Sequence, residues 1–505
     1  MQRLAVRLQV SGSEPKRTFA IEGYGVELIR STMPYVLFCL LILVCGDCVA
    51  ISTYEVSVDA SLQHVDVKLC LDRRDRLRPA DLHIDSDARA NIERLRWQDQ
   101  PLSSLRQLQR LRLREGADNC LDYRARLQRP ERSWAAASDD YRLTRSKDWL
   151  LAPPHGSRAW IRFNTPQDMA VSAPWPPVPT DDHSQDWMLL GQTDPWWNNN
   201  VVFGRFRVEL LAIGNSTLRI AILPSSPTLT LADVRPWLLA SAESVRRVHG
   251  SLPQADPQVL IMPVGRQNEA IPFARVMRGG GVGLQFFVDP SRAADEFAQD
   301  WKPTHEFSHL LFPYISRDDA WLSEGLASYY QNMLRARDGR LSEAEAWEKL
   351  LAGFERGRRD CKRNVTLAEE ASGMHRYGSY MRVYWSGAAM LLLADKRLRE
   401  ASDDAHSLDT ALAALSDCCM DDPGQVWRAR DIMRKLDELT GHQVFMNIFH
   451  QYAHSDRFPH VQPALRSLGV IERDGRVQLD DAAEQAALRH ALTSFPAQKP
   501  PAGQP

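Results

Sequence analysis

This 505-residue sequence has no surplus of charge of either sign: 62 Lys and Arg stand against 64 Asp and Glu, for a formal charge of −2. It therefore carries no overall field to attract nucleic acid or an anionic membrane, and a partner must be recognised by a local site. No nucleic-acid motif is present, and Arg-rich stretches such as 106–114 read as solvated strand faces. Cysteine is sparse, eight residues without a Cys-x-x-Cys spacing, so a thiolate metal site or redox motif has no support. Long apolar runs are missing as well. The longest, 35–45, is about half of the ~20 residues that a membrane-crossing helix needs. No fixed-period repeat occurs, and low complexity is confined to the Pro-rich end, 495–505. With 44% hydrophobic and 25% charged residues, the remainder has the composition of a folded globular chain.

The run 35–45 instead has the length of a signal-peptide core, with Arg30 upstream and small residues in Cys48-Val-Ala50 before a cleavage point. The mature chain then begins near Ile51 and is periplasmic or secreted. Met33 is an alternative start, and an N-terminal membrane anchor is the alternative fate of this segment. Of the cysteines that remain, Cys70, Cys120, Cys361, Cys418 and Cys419, an odd number suits sparse disulfides with one thiol left over, the pairing open.

At roughly 100–200 residues per domain, the length predicts two to four domains. From Ser52 to about Leu223 period-2 alternation dominates, as in 54–60, 65–69 and 201–208, and predicts an antiparallel β-sandwich-like domain over 51–224. The Pro-rich stretch 172–180 reads as a loop or edge crossing. After Pro224 helical spacing (231–248) alternates with short apolar strands (259–264 and 284–288), which marks the onset of an α/β domain over 225–400. A helical domain is expected over 401–475, and 476–505 is expected to be a partly disordered tail. The fold class is multidomain α+β.

Residues 305–309 are His305-Glu-Phe-Ser-His309. On a helix the two histidines are i and i+4, so both imidazoles leave one face and can converge on one metal, with Glu306 beside them to accept a proton from water. Pro303 suits the first turn of that helix and Pro313 ends it. A catalytic zinc needs a third protein ligand and an open position. Glu324 lies one turn into a second predicted helix, capped by Asp318 or Asp319 and ending near Asp338-Gly339. Gly325 is expected to let that helix approach the histidine helix closely. Asp318 and Asp319 remain alternative ligands.

His-Glu-x-x-His followed by Trp321-Leu-Ser-Glu-Gly-Leu-Ala327 resembles the gluzincin metallopeptidases, and within them is most similar to the glycyl aminopeptidase family. Tyr384-Trp-Ser-Gly387 and the ending 439–470 add to the similarity, which spans roughly 51–470. The resemblance implies a thermolysin-like catalytic domain, one catalytic zinc held by His305, His309 and Glu324, Glu306 as general base, and Tyr384 as hydrogen-bond donor to the oxyanion. Tyr377 and Tyr380 compete with Tyr384 for that last role. The substrate is then a peptide or protein, cut from its N-terminus or internally.

Three departures qualify that reading. Only 14 residues (310–323) separate His309 from Glu324, fewer than is usual in that family, so the connection must be compact. In the family an acidic residue on a Gly-rich edge strand holds the substrate's ammonium group; the corresponding stretch is read as Val282-Gly-Leu-Gln-Phe286, where Gln285 is neutral. The chain also ends too soon for the PDZ module that often follows. Two rival readings are a catalytically inactive zinc- or peptide-binding protein of the same fold, and a zinc hydrolase of a non-peptide bond.

Overall fold

Alternation in 52–58 puts Tyr54, Val56 and Val58 on one buried face, and that strand anchors the first layer. The computed structural model describes residues 51–495, apart from 73–76, 116–117, 128–137, 154–157, 179–185, 192–198, 255, 279 and 421–424. The expected signal segment and the end of the expected tail, 496–505, lie outside the described residues. Among the described residues no helix is long and apolar enough to cross a membrane.

Ser52–Val58 pairs antiparallel with His64–Cys70 and parallel with Arg158–Asn164 inside a seven-stranded sheet. A smaller sheet of Tyr141–Arg145, Asn200–Gly204 and Ala170–Ser172 lies in the same N-terminal region. Cys70 and Cys120 are opposite each other on neighbouring strands and form a disulfide; Cys418 and Cys419 form another, and Cys361 is free. The Arg-rich stretch expected as a strand is in part a 3-10 helix, Leu105–Arg110.

The alternating run 201–208 is not one strand. Gly204 has φ +150°, and a Cβ there would lie 2.3 Å from the Asp140 carbonyl oxygen, so the chain leaves the small sheet at this point. It re-enters as β1 (Arg207–Ile213) and β2 (Ser216–Ile222) of a different, five-stranded sheet completed by β3 (Gln258–Pro263), β4 (Phe273–Arg278) and β5 (Val282–Val288), in the order β1-β2-β3-β5-β4. Residues 207–222 therefore share a sheet with the strands that follow the expected boundary at 224/225. β3 and β5 are buried along their whole length because both faces of the sheet are covered, which is why they read as continuous apolar runs.

Helix α1 (Leu231–His249) packs on this sheet through Trp237, whose ring centre is 5.2 Å from that of Phe286 on β5. Phe286 in turn stacks on Phe307 of α2 (Lys302–Ser308) at 6.3 Å, and this aromatic chain fixes α2 over the sheet. Behind it lie α3 (Ala320–Arg337), α4 (Glu343–Arg359) and α5 (Tyr380–Ala401), whose buried residues share one core with the C-terminal helices.

The part of the expected tail before 496 is folded. Arg476–Leu479 pairs with Val470–Arg473, and Ala486–Thr493 is a helix. Arg489 is fully buried there, donating to the Leu468 and Asp480 carbonyls and to Glu343. Polar composition hid a segment that one buried guanidinium ties down.

Candidate active site

Pro303 occupies the first turn of α2, where its missing N–H costs no bond. The helix is shorter than the sequence suggests: after Ser308 it tightens into a 3-10 turn, His309–Leu311, before Pro313. A second 3-10 turn, Arg317–Asp319, leads into α3. These two turns are how a 14-residue connection brings α3 back beside α2.

His305 and His309 are buried with ring centres 5.0 Å apart. Their Nε2 atoms lie 3.3 and 3.6 Å from Oε2 of Glu324, and that buried oxygen accepts no well-formed hydrogen bond. One ligand atom from each residue falls within 4.8 Å of the others, and no other such grouping occurs among the described residues. Each histidine uses its second nitrogen elsewhere. With Nε2 turned to Glu324, Nδ1–H of His305 donates to Oε1 of Gln331 at 2.8 Å and that of His309 to Oγ of Ser323 at 3.0 Å.

Asp318 and Asp319 are not part of this cluster. Asp319 accepts from Nε of Arg428 at 2.6 Å and from the Ala429 N–H at 3.1 Å, while Asp318 pairs with Arg428 at 3.6 Å. Asp319 precedes α3 but spends its carboxylate on the start of the helix Ala429–Thr440, and makes no cap bond to its own helix.

The electrostatics follow from burial. Burial pulls the His309 imidazole down to about 4, which keeps it neutral. At His305 burial acts in the same direction, but the close Glu324 carboxylate, the charge of Glu306 and the Gln331 contact outweigh it, and the pKa rises. Burial, together with the Glu324 charge, pushes Glu306 up to about 7 against the opposing pull of His305, the Val276 N–H and Arg275. Tyr384 of α5 stacks over His305 at 6.2 Å; burial and the nearby Glu324 and Glu306 carboxylates raise its pKa, so the phenol keeps its proton. Tyr380 is at the surface, bonded to Nδ1 of His375, and Tyr377 lies against Gly373, so neither reaches the cluster.

Two sequence expectations change. Gly325 does not face α2: a Cβ there would sit 2.5 Å from the backbone of Gly387, so the close approach is between α3 and α5. Gln285 is not on an edge strand. β5 is internal, and Gln285, fully buried, accepts from Nδ2 of Asn200 at 3.1 Å and Nε of Arg275 at 2.9 Å. The edge beside the site is β4, Phe-Ala-Arg-Val-Met-Arg, without a carboxylate.

Sequence reasoning did not single out Gln331, Ser323, Arg275 or Arg278. Gln331 alone carried a usable signal, seven residues after Glu324 and hence on the same face of α3. Arg278 donates from Nη1 to the carbonyls of His309 (3.0 Å) and Phe312 (2.7 Å), pinning the turn that presents His309.

By sequence, no protein-family model and no curated protein matches the chain. Solved structures do match, and the fold they define is that of zinc metallopeptidases. An aminopeptidase N family protein from Idiomarina loihiensis superposes with a TM-score of 0.55 at 13% identity, covering 83% of this chain and 75% of that one. A variant of a two-domain M1 zinc metallopeptidase bound to L-arginine gives 0.50 at 14% identity, over 81% and 95% of the two chains.

Proposed function

We propose that the protein is a zinc-dependent metallopeptidase of the gluzincin type. The observation that carries this reading is the convergence of two buried imidazole nitrogens on a buried carboxylate oxygen that has no hydrogen-bond donor of its own. Two imidazole nitrogens and one carboxylate are a donor set that fits zinc and leaves a position open. His305, His309 and Glu324 would hold the ion, which supplies Lewis-acid polarisation and lowers the pKa of water to about 7.

The chain's own groups do the rest. Glu306, adjacent to the ligands and with a pKa near neutrality, takes the proton of the attacking water and delivers it to the leaving amine. Tyr384, held protonated, donates to the oxyanion as the carbonyl becomes tetrahedral; such a donor contributes on the order of 3 kcal/mol. The resemblance to glycyl aminopeptidases extends to the Tyr384–Gly387 helix turn but not to an acidic edge strand. The apolar run 35–45 with small residues before Ala50 supports a periplasmic or secreted location.

A diverse peptide mixture incubated with the zinc-replete protein tests this reading by mass spectrometry. Cleavage that stops on adding a zinc chelator and returns with zinc is the expected result. No cleavage by protein with confirmed zinc content would overturn it in favour of a binding protein or a non-peptide substrate. A second expectation concerns zinc itself: Gln331→Ala, which takes away the acceptor for His305 Nδ1–H, weakens zinc binding about 10–100-fold. Competition with a chromophoric chelator measures this, and Gln331→Glu, which restores an acceptor, should recover the affinity.

A further inference from the structure

The edge strand β4 carries two arginines in different states. Arg278 is half-buried, and its Nη1 donates to both the His309 and the Phe312 carbonyl. Arg275 donates only Nε, to Gln285, and its two Nη groups have no hydrogen-bond partner among the described residues. Among the described residues no carboxylate forms an ion pair with it. Its guanidinium lies over the ring of Phe287 at 5.7 Å, and Phe273, two residues earlier on the same face of the strand, is 40% exposed beside that ring. Arg275 is thus a half-buried cation that feels the Glu306 charge but has no carboxylate within ion-pair distance among the described residues, on the strand that ends the sheet.

Its distance from the chemistry is short. Arg278, three residues further along β4, donates to the carbonyl of His309 at 3.0 Å, and the charges of Arg275 and Glu306 act on each other. An extended peptide lying along β4 advances about 3.3 Å per residue with side chains alternating between the two faces. A substrate residue on the Arg275 face is therefore within one or two positions of the bond that Glu306 serves. A substrate ammonium in that place would meet a cation, and β4 has no carboxylate to hold it.

We propose that Arg275 is a specificity-determining residue, which pairs with a substrate carboxylate next to the cleaved bond and excludes a free N-terminal ammonium from this edge. The proposal rests on the metallopeptidase reading and extends it to a substrate class: acidic peptides cut internally. Partial burial without a partner disfavours the lone charge, and a bidentate carboxylate offsets that cost.

The test uses N-acetylated, C-amidated peptides in which Glu is walked through the positions flanking the cleaved bond, compared with Gln at each position. A third set, with Gln and a free C-terminal carboxylate, separates a side-chain carboxylate from a terminal one. A charge-assisted pair predicts at least about a tenfold preference for Glu in kcat/KM at one position, carried mainly by KM. Arg275→Gln should bring that ratio close to one, and Arg275→Glu should reverse it in favour of Lys; Arg275→Lys, which keeps the charge, should retain part of it. Unchanged ratios in folded, zinc-loaded Arg275→Gln, or faster cutting of free-amine than acetylated peptides, would overturn the assignment. A preference met only by the free C-terminus would move the pairing to that source and overturn the side-chain form. If zinc-loaded protein cuts nothing, fluorescence anisotropy of the labelled Glu and Gln peptides decides separately: tighter Glu binding that Arg275→Gln abolishes keeps the pairing while the peptidase reading falls, and equal binding overturns both.

Discussion

Glu306→Gln is expected to lower kcat by about 10³-fold, within the range that a positioned acid–base group contributes, while zinc content and melting temperature stay those of the parent. The reasoning starts from shape. Gln matches Glu in volume and shape, so the packing of α2 on β4 survives. What is lost is the capacity to take a proton, and no other free base stands at the cluster: His305 and His309 are turned toward Glu324 through Nε2 and committed through Nδ1, and Tyr384 is a donor. Because the change acts on proton transfer rather than on binding, KM should move little, and kcat/KM should fall with kcat. Steady-state kinetics on the best peptide, with zinc measured by elemental analysis on the same sample, checks this. Retained hydrolysis at the parent rate would remove Glu306 from the chemistry, and loss of zinc together with activity would recast it as a residue that shapes the metal site.

What was legible in the sequence was whatever lies close along one helix. His305, Glu306 and His309 need only the 3.6-residue period to come together, and Glu324 needs only the next helix to return, so spacing alone located them. Tyr384 came from a motif resemblance, and its ring lies 6.2 Å from that of His305. The rest depended on which distant strands and helices meet. Asp319 looked like a cap for its own helix and instead serves Arg428, more than a hundred residues away. Gln285 stands in a glycine-rich strand that reads as an edge, yet β4 pairs outside it. The arginines of β4 give no periodic signal, because one points its donors at carbonyls of the 309–312 turn and the other at Gln285. The run 201–208 kept its alternation across a break that only a backbone clash at Gly204 enforces.

The largest stability effect expected from a single methyl group is at Gly387. A Cβ on Gly387 would lie 1.8 Å from the Trp321 carbonyl oxygen and 2.8 Å from Cα of Gly325, and one on Gly325 would lie 2.5 Å from the Gly387 backbone. Both obstacles are backbone atoms of packed helices, so no side-chain rotamer relieves them and α3 and α5 must move apart. Ala gains about 1 kcal/mol over Gly in helix propensity. Overpacking against rigid backbone costs about 1–3 kcal/mol or more, and the absence of any yielding neighbour puts this site at the upper end, so the clash wins. Gly387→Ala should therefore lower the melting temperature by several degrees. It should also weaken zinc binding and slow turnover, because Trp321 precedes Glu324 by three residues on α3 and Tyr384 precedes Gly387 by three on α5. Spreading the helices displaces the third ligand from the histidines and the phenol from its stack on His305. Gly265→Ala, with nothing within 4 Å of the added carbon, is the control and should leave all three quantities unchanged. Calorimetry and zinc titration on the two variants decide the matter: if Gly387→Ala melts with the parent, the helices have slack to yield and something other than this contact sets the distance between Glu324 and Tyr384; if it melts early but binds zinc as before, the contact serves the fold alone.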